Sequence, residues 1–174
     1  ANLKKVLARL VEKQKIAEEK SEDIFCKIKP CSELQDFKDC DLVIEAVAER
    51  LDIKESLYNK VAPHLGEHTI FATNTSGLSV ETLSEKFPAD LKHRFCGVHF
   101  FNPPRYMRLV ELIPTAATAP EYLDNLERFL VSTLGKGVGR AKDTPNFIGN
   151  RLGVFYMLAT IYNTEKFGLR FDVV

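Results

Sequence analysis

A histidine and a glutamate in two neighbouring apolar runs form the pair in this sequence best suited to chemistry. His99 lies in a run that predicts a buried strand, and Glu111 lies in the next run, after an Asn-Pro-Pro break that begins at Asn102. A carboxylate on one ring nitrogen of a histidine fixes its tautomer and leaves the other nitrogen free for proton transfer near neutral pH. The pair therefore indicates a general acid–base. The alternative interpretation is a core histidine beside a strand-end glutamate.

The composition is that of a globular protein without a charge bias. Hydrophobic residues make up 45% of the 174 positions, charged residues make up 28%, and the formal net charge is zero. A nucleic-acid-binding domain needs a basic excess, and a spanning helix needs about 20 consecutive apolar residues. We therefore expect neither nucleic acid nor a membrane as a partner. The four cysteines form no CxxC pair, which predicts reduced thiols in a cytoplasmic protein and no metal site.

Short apolar runs alternate with amphipathic segments along most of the chain. Helical spacing of apolar residues predicts one basic amphipathic helix from Leu3 to about Glu22, and Ile24–Ile28 is interpreted as a strand. Further strands are predicted at 41–46, 69–73, 95–100, 109–113 and 138–141. Such alternation predicts an α/β fold with a doubly wound, mostly parallel sheet.

Polar residues cluster at the ends of three of the predicted strands, at 45–49, 74–76 and 99–102. Ligands of doubly wound sheets bind at the carboxyl ends of the strands. The three clusters therefore predict one shared site, and this placement favours the functional interpretation of His99.

Five ordered segments resemble the L-3-hydroxyacyl-CoA dehydrogenase family over essentially the whole chain. They are Asp41–Glu49, Ala72–Ser76, Val98–Pro103, Leu109–Glu111 and Lys142–Arg151. The resemblance implies a Rossmann-like NAD-binding domain over residues 1–142, which lacks its first βαβ strand and turn. It also implies, over residues 143–174, a linker and the first helix of an all-α second domain.

The resemblance leads us to expect an internal fragment of a longer enzyme. The family's Gly-rich phosphate-binding turn lies between a strand and a helix. The only similar run here, Gly135-Lys-Gly137-Val-Gly139, follows a predicted helix and is interpreted as a helix end and loop. The sequence around Asn102 is most similar to that of long bacterial members, which often carry an enoyl-CoA hydratase part.

The resemblance further implies a role for each matching polar residue. His99 would be the catalytic acid–base, oriented by Glu111, and Ser76 and Asn150 would complete the catalytic set by binding the substrate. The residues implied to contact NAD are Glu49, Lys54, Ser76 and Asn102. A solvated helix lysine is an equal alternative for Lys54, and simple turn chemistry is an alternative for Asn102.

Two positions depart from the family pattern. Gly77 stands where the family usually has serine, and Asn146 stands where the loop before the last helix usually has glycine. Asparagine adopts a left-handed backbone more readily than most residues, so the turn at Asn146 is expected to survive.

Together these implications predict NAD-dependent oxidation of L-3-hydroxyacyl-CoA to 3-oxoacyl-CoA in fatty-acid β-oxidation. The implied partners are an acyl-CoA substrate and a second copy of the protein, in a homodimer formed through the helical domain. The fragment alone is expected to be inactive. Two other functions stay open: a sugar-acid dehydrogenase of the L-gulonate type, and a non-catalytic acyl-CoA-binding or assembly segment.

Overall fold

Two helices form the first of the two compact units into which the chain divides after Leu34. The computed structural model describes residues 2–173. Helix α1 spans Asn2–Glu12 and helix α2 spans Glu18–Cys26. Leu7 of α1 is buried, and the Lys4 ammonium lies 4.6 Å from the centre of the Phe25 ring. The first unit is therefore a helical hairpin.

Two expectations for this unit are wrong. The single helix from Leu3 to Glu22 is interrupted after Glu12, where Gln14 adopts a left-handed backbone with φ of 54°. The segment predicted as the strand Ile24–Ile28 begins inside the last turn of α2. A short apolar run fits a helix face as well as a strand, and periodicity alone does not separate the two.

A five-stranded sheet, with its strands in sequence order, organises the second unit. The strands are β1 (Leu42–Glu45), β2 (Ile70–Thr73), β3 (Phe95–Phe100), β4 (Leu109–Pro114) and β5 (Gly137–Arg140). Three of the four pairings are parallel, and only β3 and β4 run antiparallel. The loop at 101–108 is too short for a crossover helix, which explains the reversal. The expected α/β fold with a mostly parallel sheet is confirmed.

Helices cover both faces of this sheet. α3 (Leu51–Val61) and α4 (Val80–Glu85) pack on one face and α5 (Pro120–Ser132) packs on the other. The helix α6 (Gly149–Lys166) follows β5 and is largely exposed, and short 3₁₀ turns lie at 34–39, 62–64 and 89–94. Proline is tolerated at the first position of α5, because its missing N–H has no partner within the helix.

Alternate residues of the strands build a separate core on each face of the sheet. On one face, Phe71 and Phe95 pack edge-on against Tyr58 of α3, together with Phe87. The core on the other face joins β2, β3 and β4 to α5, and its buried residues are Ile70, Ala72, Cys96, Val98, Val110, Leu112, Leu123, Leu126 and Leu130. These two cores fix the sheet whose edge carries the polar clusters.

The carboxyl ends of β1, β2 and β3 meet at one edge of the sheet, and the antiparallel β4 begins there. Glu45 and Thr73 are the last residues of their strands, and His99 is the last but one of β3. The predicted meeting of the three polar clusters is thus confirmed by the topology. Among residues 2–173, no helix has the length and apolar character needed to cross a membrane.

Candidate active site

Strand pairing brings His99 and Glu111 together. They are directly opposite residues in the antiparallel register of β3 and β4, where side chains on one face lie close enough to interact. Nδ1 of His99 lies 2.7 Å from Oε2 of Glu111, and both side chains are buried, with exposures of 3% and 0%. An ionised carboxylate only accepts hydrogen bonds, so Nδ1 carries the proton and Nε2 has a free lone pair.

The second carboxylate oxygen of Glu111 accepts two backbone hydrogen bonds. The N–H groups of Ile148 and Gly149, at the start of α6, both lie 2.8 Å from Oε1. The first N–H groups of a helix lack partners within the helix, and the positive end of its dipole favours an anion. Glu111 is therefore held between His99 and the start of α6.

The backbone before α6 aims these N–H groups by adopting a left-handed conformation at two consecutive residues. Asn146 has a φ of 64° and Phe147 a φ of 49°. The expectation that asparagine would preserve this turn is confirmed. The centre of the His99 ring lies 5.5 Å from that of the buried Phe147 ring and 4.6 Å from that of the Phe101 ring. The imidazole is thus fixed by two aromatic side chains as well as by Glu111.

Ser76 occupies the free side of the imidazole. Its hydroxyl oxygen lies 3.1 Å from Nε2 of His99, and with Nδ1 protonated the serine is the donor. The loop that carries Ser76 follows β2, and the residue is exposed. A substrate hydroxyl placed at this point would meet both the proton acceptor and a hydrogen-bonding serine.

Glu49 holds the loop that carries Ser76. Its Oε1 accepts hydrogen bonds from the N–H of Ser76 at 3.0 Å, from the N–H of Gly77 at 3.2 Å, and from the hydroxyl of Thr75. Burial raises the pKa of Glu49, but these hydrogen bonds and the nearby Lys54 ammonium outweigh burial and hold the pKa below its usual value. Glu49 is therefore a carboxylate at neutral pH.

Lys54 is buried beneath this loop. Its Nζ lies 2.7 Å from Oε1 of Glu45 and 3.3 Å from Oε2 of Glu49, and its side chain is 1% exposed. The alternative of a solvated helix lysine is wrong. A cofactor contact stays a prediction, and in this structure the ammonium is already occupied by two carboxylates.

Asn102 and Asn150 make no side-chain hydrogen bond within the part of the chain that the structure describes. Asn102 is exposed just after β3, in the 101–108 loop, and Asn150 lies in the first turn of α6 next to the N–H groups that hold Glu111. Their amides are available to a ligand, and their proposed roles stay predictions.

Glu45 falls in one of the predicted polar clusters, but the sequence does not predict a role for it. Its buried carboxylate accepts hydrogen bonds from Val47, Lys54, Tyr58 and Thr73. A carboxylate inside an apolar run is a usable signal, since isolated buried charges are costly and require partners. Burial and the Glu45 charge raise the pKa of Tyr58, so that the phenol remains a hydrogen-bond donor.

The polar groups at this edge of the sheet fit only one end of a dinucleotide. Exposed carboxylate, hydroxyl and amide groups of Glu49, Ser76 and Asn102 suit a ribose and a carboxamide. A pyrophosphate is usually bound by a Gly-rich turn between a strand and a helix. No such turn occurs between residues 2 and 173, because the Gly135–Gly139 run follows α5 and enters β5.

Comparison with known proteins agrees with this geometry. The family described as the NAD binding domain of 3-hydroxyacyl-CoA dehydrogenase matches residues 1–144. The match covers well over half of the chain, and the chain belongs to this family.

Relatives of known sequence and structure are longer than this chain. A putative fatty acid oxidation complex trifunctional enzyme of Rickettsia felis is 48% identical over 72% of the chain, which covers 17% of that protein. A probable 3-hydroxyacyl-CoA dehydrogenase of Deinococcus radiodurans is 42% identical over 79% of the chain, which covers 40% of it. The crystal structure of FadB2 of M. tuberculosis is similar over 98% of this chain and 59% of the FadB2 chain, with a TM-score of 0.90 and 30% sequence identity.

Proposed function

We propose that the natural protein containing this chain is an NAD-dependent dehydrogenase that oxidises L-3-hydroxyacyl-CoA to 3-oxoacyl-CoA in fatty-acid β-oxidation. One observation carries the proposal: the buried His99 has Nδ1 on Glu111 and Nε2 facing Ser76 at the edge of the sheet. Family membership and the names of the relatives support the substrate class.

The chain's own residues move the proton of this reaction. Nε2 of His99 accepts the proton of the 3-hydroxyl group, while the Ser76 hydroxyl turns from the imidazole to the substrate oxygen. Glu111 accepts the Nδ1 hydrogen bond throughout and stabilises the imidazolium that forms. Asn150 binds the thioester or the 3-oxygen from the first turn of α6. NAD, when bound, supplies the hydride acceptor, held on this chain by Glu49, Ser76 and Asn102, with Lys54 beneath them.

Steady-state kinetics on the natural protein test this function. With NADH and acetoacetyl-CoA, we expect saturable NADH oxidation, because the protonated His99 then donates to the 3-oxygen in the reverse reaction. L-Gulonate with NAD is the comparison substrate, and its kcat/KM is expected to be far lower.

Two outcomes would contradict the proposal. A kcat/KM for L-gulonate above that for the acyl-CoA pair would support the sugar-acid dehydrogenase. Calorimetric binding of acetoacetyl-CoA without turnover, in the presence of NADH, would support the non-catalytic acyl-CoA-binding segment.

We also propose that residues 143–174 begin a helical domain through which the protein dimerises, after an NAD-binding domain at 1–142. The support is the exposed apolar surface of α6, which is large for a helix without a partner. Its most exposed large residues are Leu152, Phe155, Tyr156 and Tyr162, at 63–75%. A cytoplasmic location stays a prediction from the cysteines.

Light scattering on the natural protein is expected to give the mass of two copies. Exchange of Phe155 for glutamate should lower that mass towards one copy, because a charge on a contact surface opposes association, whereas glutamate in place of the exposed Phe129 of α5 should not. A single copy in the unsubstituted protein, at every concentration measured, would contradict the dimer.

A further inference from the structure

Among residues 2–173, Lys54 is the one lysine whose ammonium lies between the carboxylates of Glu45 and Glu49, below the candidate site. Glu45 and Glu49 both contact it, at 2.7 and 3.3 Å, and its side chain is 1% exposed. A ligand approaching from solvent therefore meets Glu49 before it meets Nζ. An influence of Lys54 on the site has to pass through the carboxylates that it holds.

Glu45 is a fixed anchor for this ammonium. The oxygen that binds Lys54 also accepts the N–H of Val47 at 2.8 Å. The other oxygen accepts the hydroxyl of Thr73 at 2.8 Å and that of Tyr58 at 3.1 Å. Glu45 and Thr73 are also paired in the register of β1 and β2. These four donors, from α3, β2 and the loop after β1, leave the Glu45 carboxylate a single position.

Glu49, in contrast, has a side chain that is 42% exposed and lies after the end of β1. An exposed glutamate has several accessible rotamers, and fixing one of them has an entropic cost. Lys54 binds Oε2 of Glu49 while Oε1 accepts the N–H groups of Ser76 and Gly77. The buried ammonium therefore selects the Glu49 rotamer whose Oε1 holds the Ser76 loop.

We propose that Lys54 is a positioning residue. Because it binds the immobile Glu45, it fixes the Glu49 carboxylate, which in turn holds the Ser76 loop so that the Ser76 hydroxyl stays on Nε2 of His99. The inference rests on the proposed role of His99 as the proton acceptor. It adds a function for a residue that does not itself meet the reacting atoms.

Stability alone is a poor explanation for the Lys54 network. A buried ion pair often contributes no more to stability than well-packed apolar residues of the same volume, because both charges lose their hydration. The contacts also lead to the site: Lys54 joins the enclosed Glu45 to the exposed Glu49, and Glu49 holds the loop whose Ser76 contacts Nε2 of His99.

Exchange of Lys54 for methionine in the natural protein tests this role, with Lys60→Met as the matched control. Lys60 lies on the same helix, α3, but is exposed and outside the cluster. In the cofactor-free protein, we expect Lys54→Met to shift the NMR signal of Nε2 of His99, because the Ser76 hydrogen bond weakens. Lys60→Met should leave that signal in place.

Kinetics on the same variants measure what the positioning contributes to turnover. A catalytic group misplaced by about 1 Å loses on the order of 10–100-fold in rate, so kcat of Lys54→Met should fall by about that factor. The NMR shift in the cofactor-free protein separates positioning from cofactor contact, because Glu49 and Ser76 are themselves proposed to hold NAD and the KM for NAD reports on both roles. An unchanged Nε2 signal in the cofactor-free protein would overturn the proposal, and so would weaker NAD binding with kcat preserved.

Two further variants keep the test valid if Lys54→Met does not fold. The double exchange Glu45→Gln/Lys54→Met leaves no buried unpaired charge, and Glu49→Ala acts at an exposed side chain. Both should reproduce the shift of the Nε2 signal, and its absence in both would overturn the proposal. The NMR readout needs no turnover, so it also stands if the natural protein does not oxidise hydroxyacyl-CoA.

Discussion

Exchange of His99 for glutamine is expected to lower kcat for acetoacetyl-CoA reduction by about 10²–10⁴-fold, the usual contribution of a general acid–base. The amide of glutamine can still donate a hydrogen bond to Glu111, so the buried carboxylate keeps a partner. The amide cannot accept a proton at neutral pH, and the proton transfer is lost. Stopped-flow or steady-state rates on the natural protein measure the effect.

Binding of NAD should be nearly unchanged by His99→Gln, because the residues proposed to hold it are Glu49, Ser76 and Asn102. His68→Gln is the matched control, since His68 is exposed in the turn before β2. If calorimetry showed NAD affinity falling in step with kcat, His99 would be a structural or cofactor-binding residue. If kcat of His99→Gln equalled that of the control, His99 would have no part in the reaction.

The sequence predicts the part of the site that depends on local pattern and strand order. Apolar runs of four to six residues locate β1 to β4, and parallel order brings their carboxyl ends to one edge. The pairing of His99 with Glu111 also follows, since two strands joined by a short loop place residues near their joined ends opposite each other. The left-handed turn at Asn146 is predictable from the residue type.

Contacts between distant segments are harder to predict. The burial of Lys54 depends on where α3 lies on the sheet, and a lysine in an amphipathic helix carries no sign of it. The two N–H donors to Glu111 come from the backbone, so the identities of Ile148 and Gly149 do not reveal them. The error at Ile24–Ile28 has a similar cause, because packing between two helices decides the structure of that run.

Those backbone donors make Glu111→Gln the most informative substitution at this site. Oε1 accepts two N–H groups, and only an oxygen can take its place without setting donors against donors. The new amide nitrogen must therefore face His99, where it donates to Nδ1. The imidazole is then forced to carry its proton on Nε2, which is the nitrogen that must accept the substrate proton. The side chain keeps its shape and all its neighbours, so the protein should fold as before.

With the wrong tautomer, kcat is expected to fall by about 10⁴-fold, as in serine proteases whose triad aspartate is exchanged for asparagine. Nitrogen NMR of the His99 ring should show the proton on Nε2 in the variant and on Nδ1 in the unsubstituted protein. Glu121→Gln, at the exposed start of α5, is the matched control and should change neither. A variant with Nε2 protonated but kcat preserved would show that His99 is not the proton acceptor, whereas an unchanged tautomer would mean that the glutamine is turned the other way and that the contact of Glu111 with α6 is weaker than its geometry indicates.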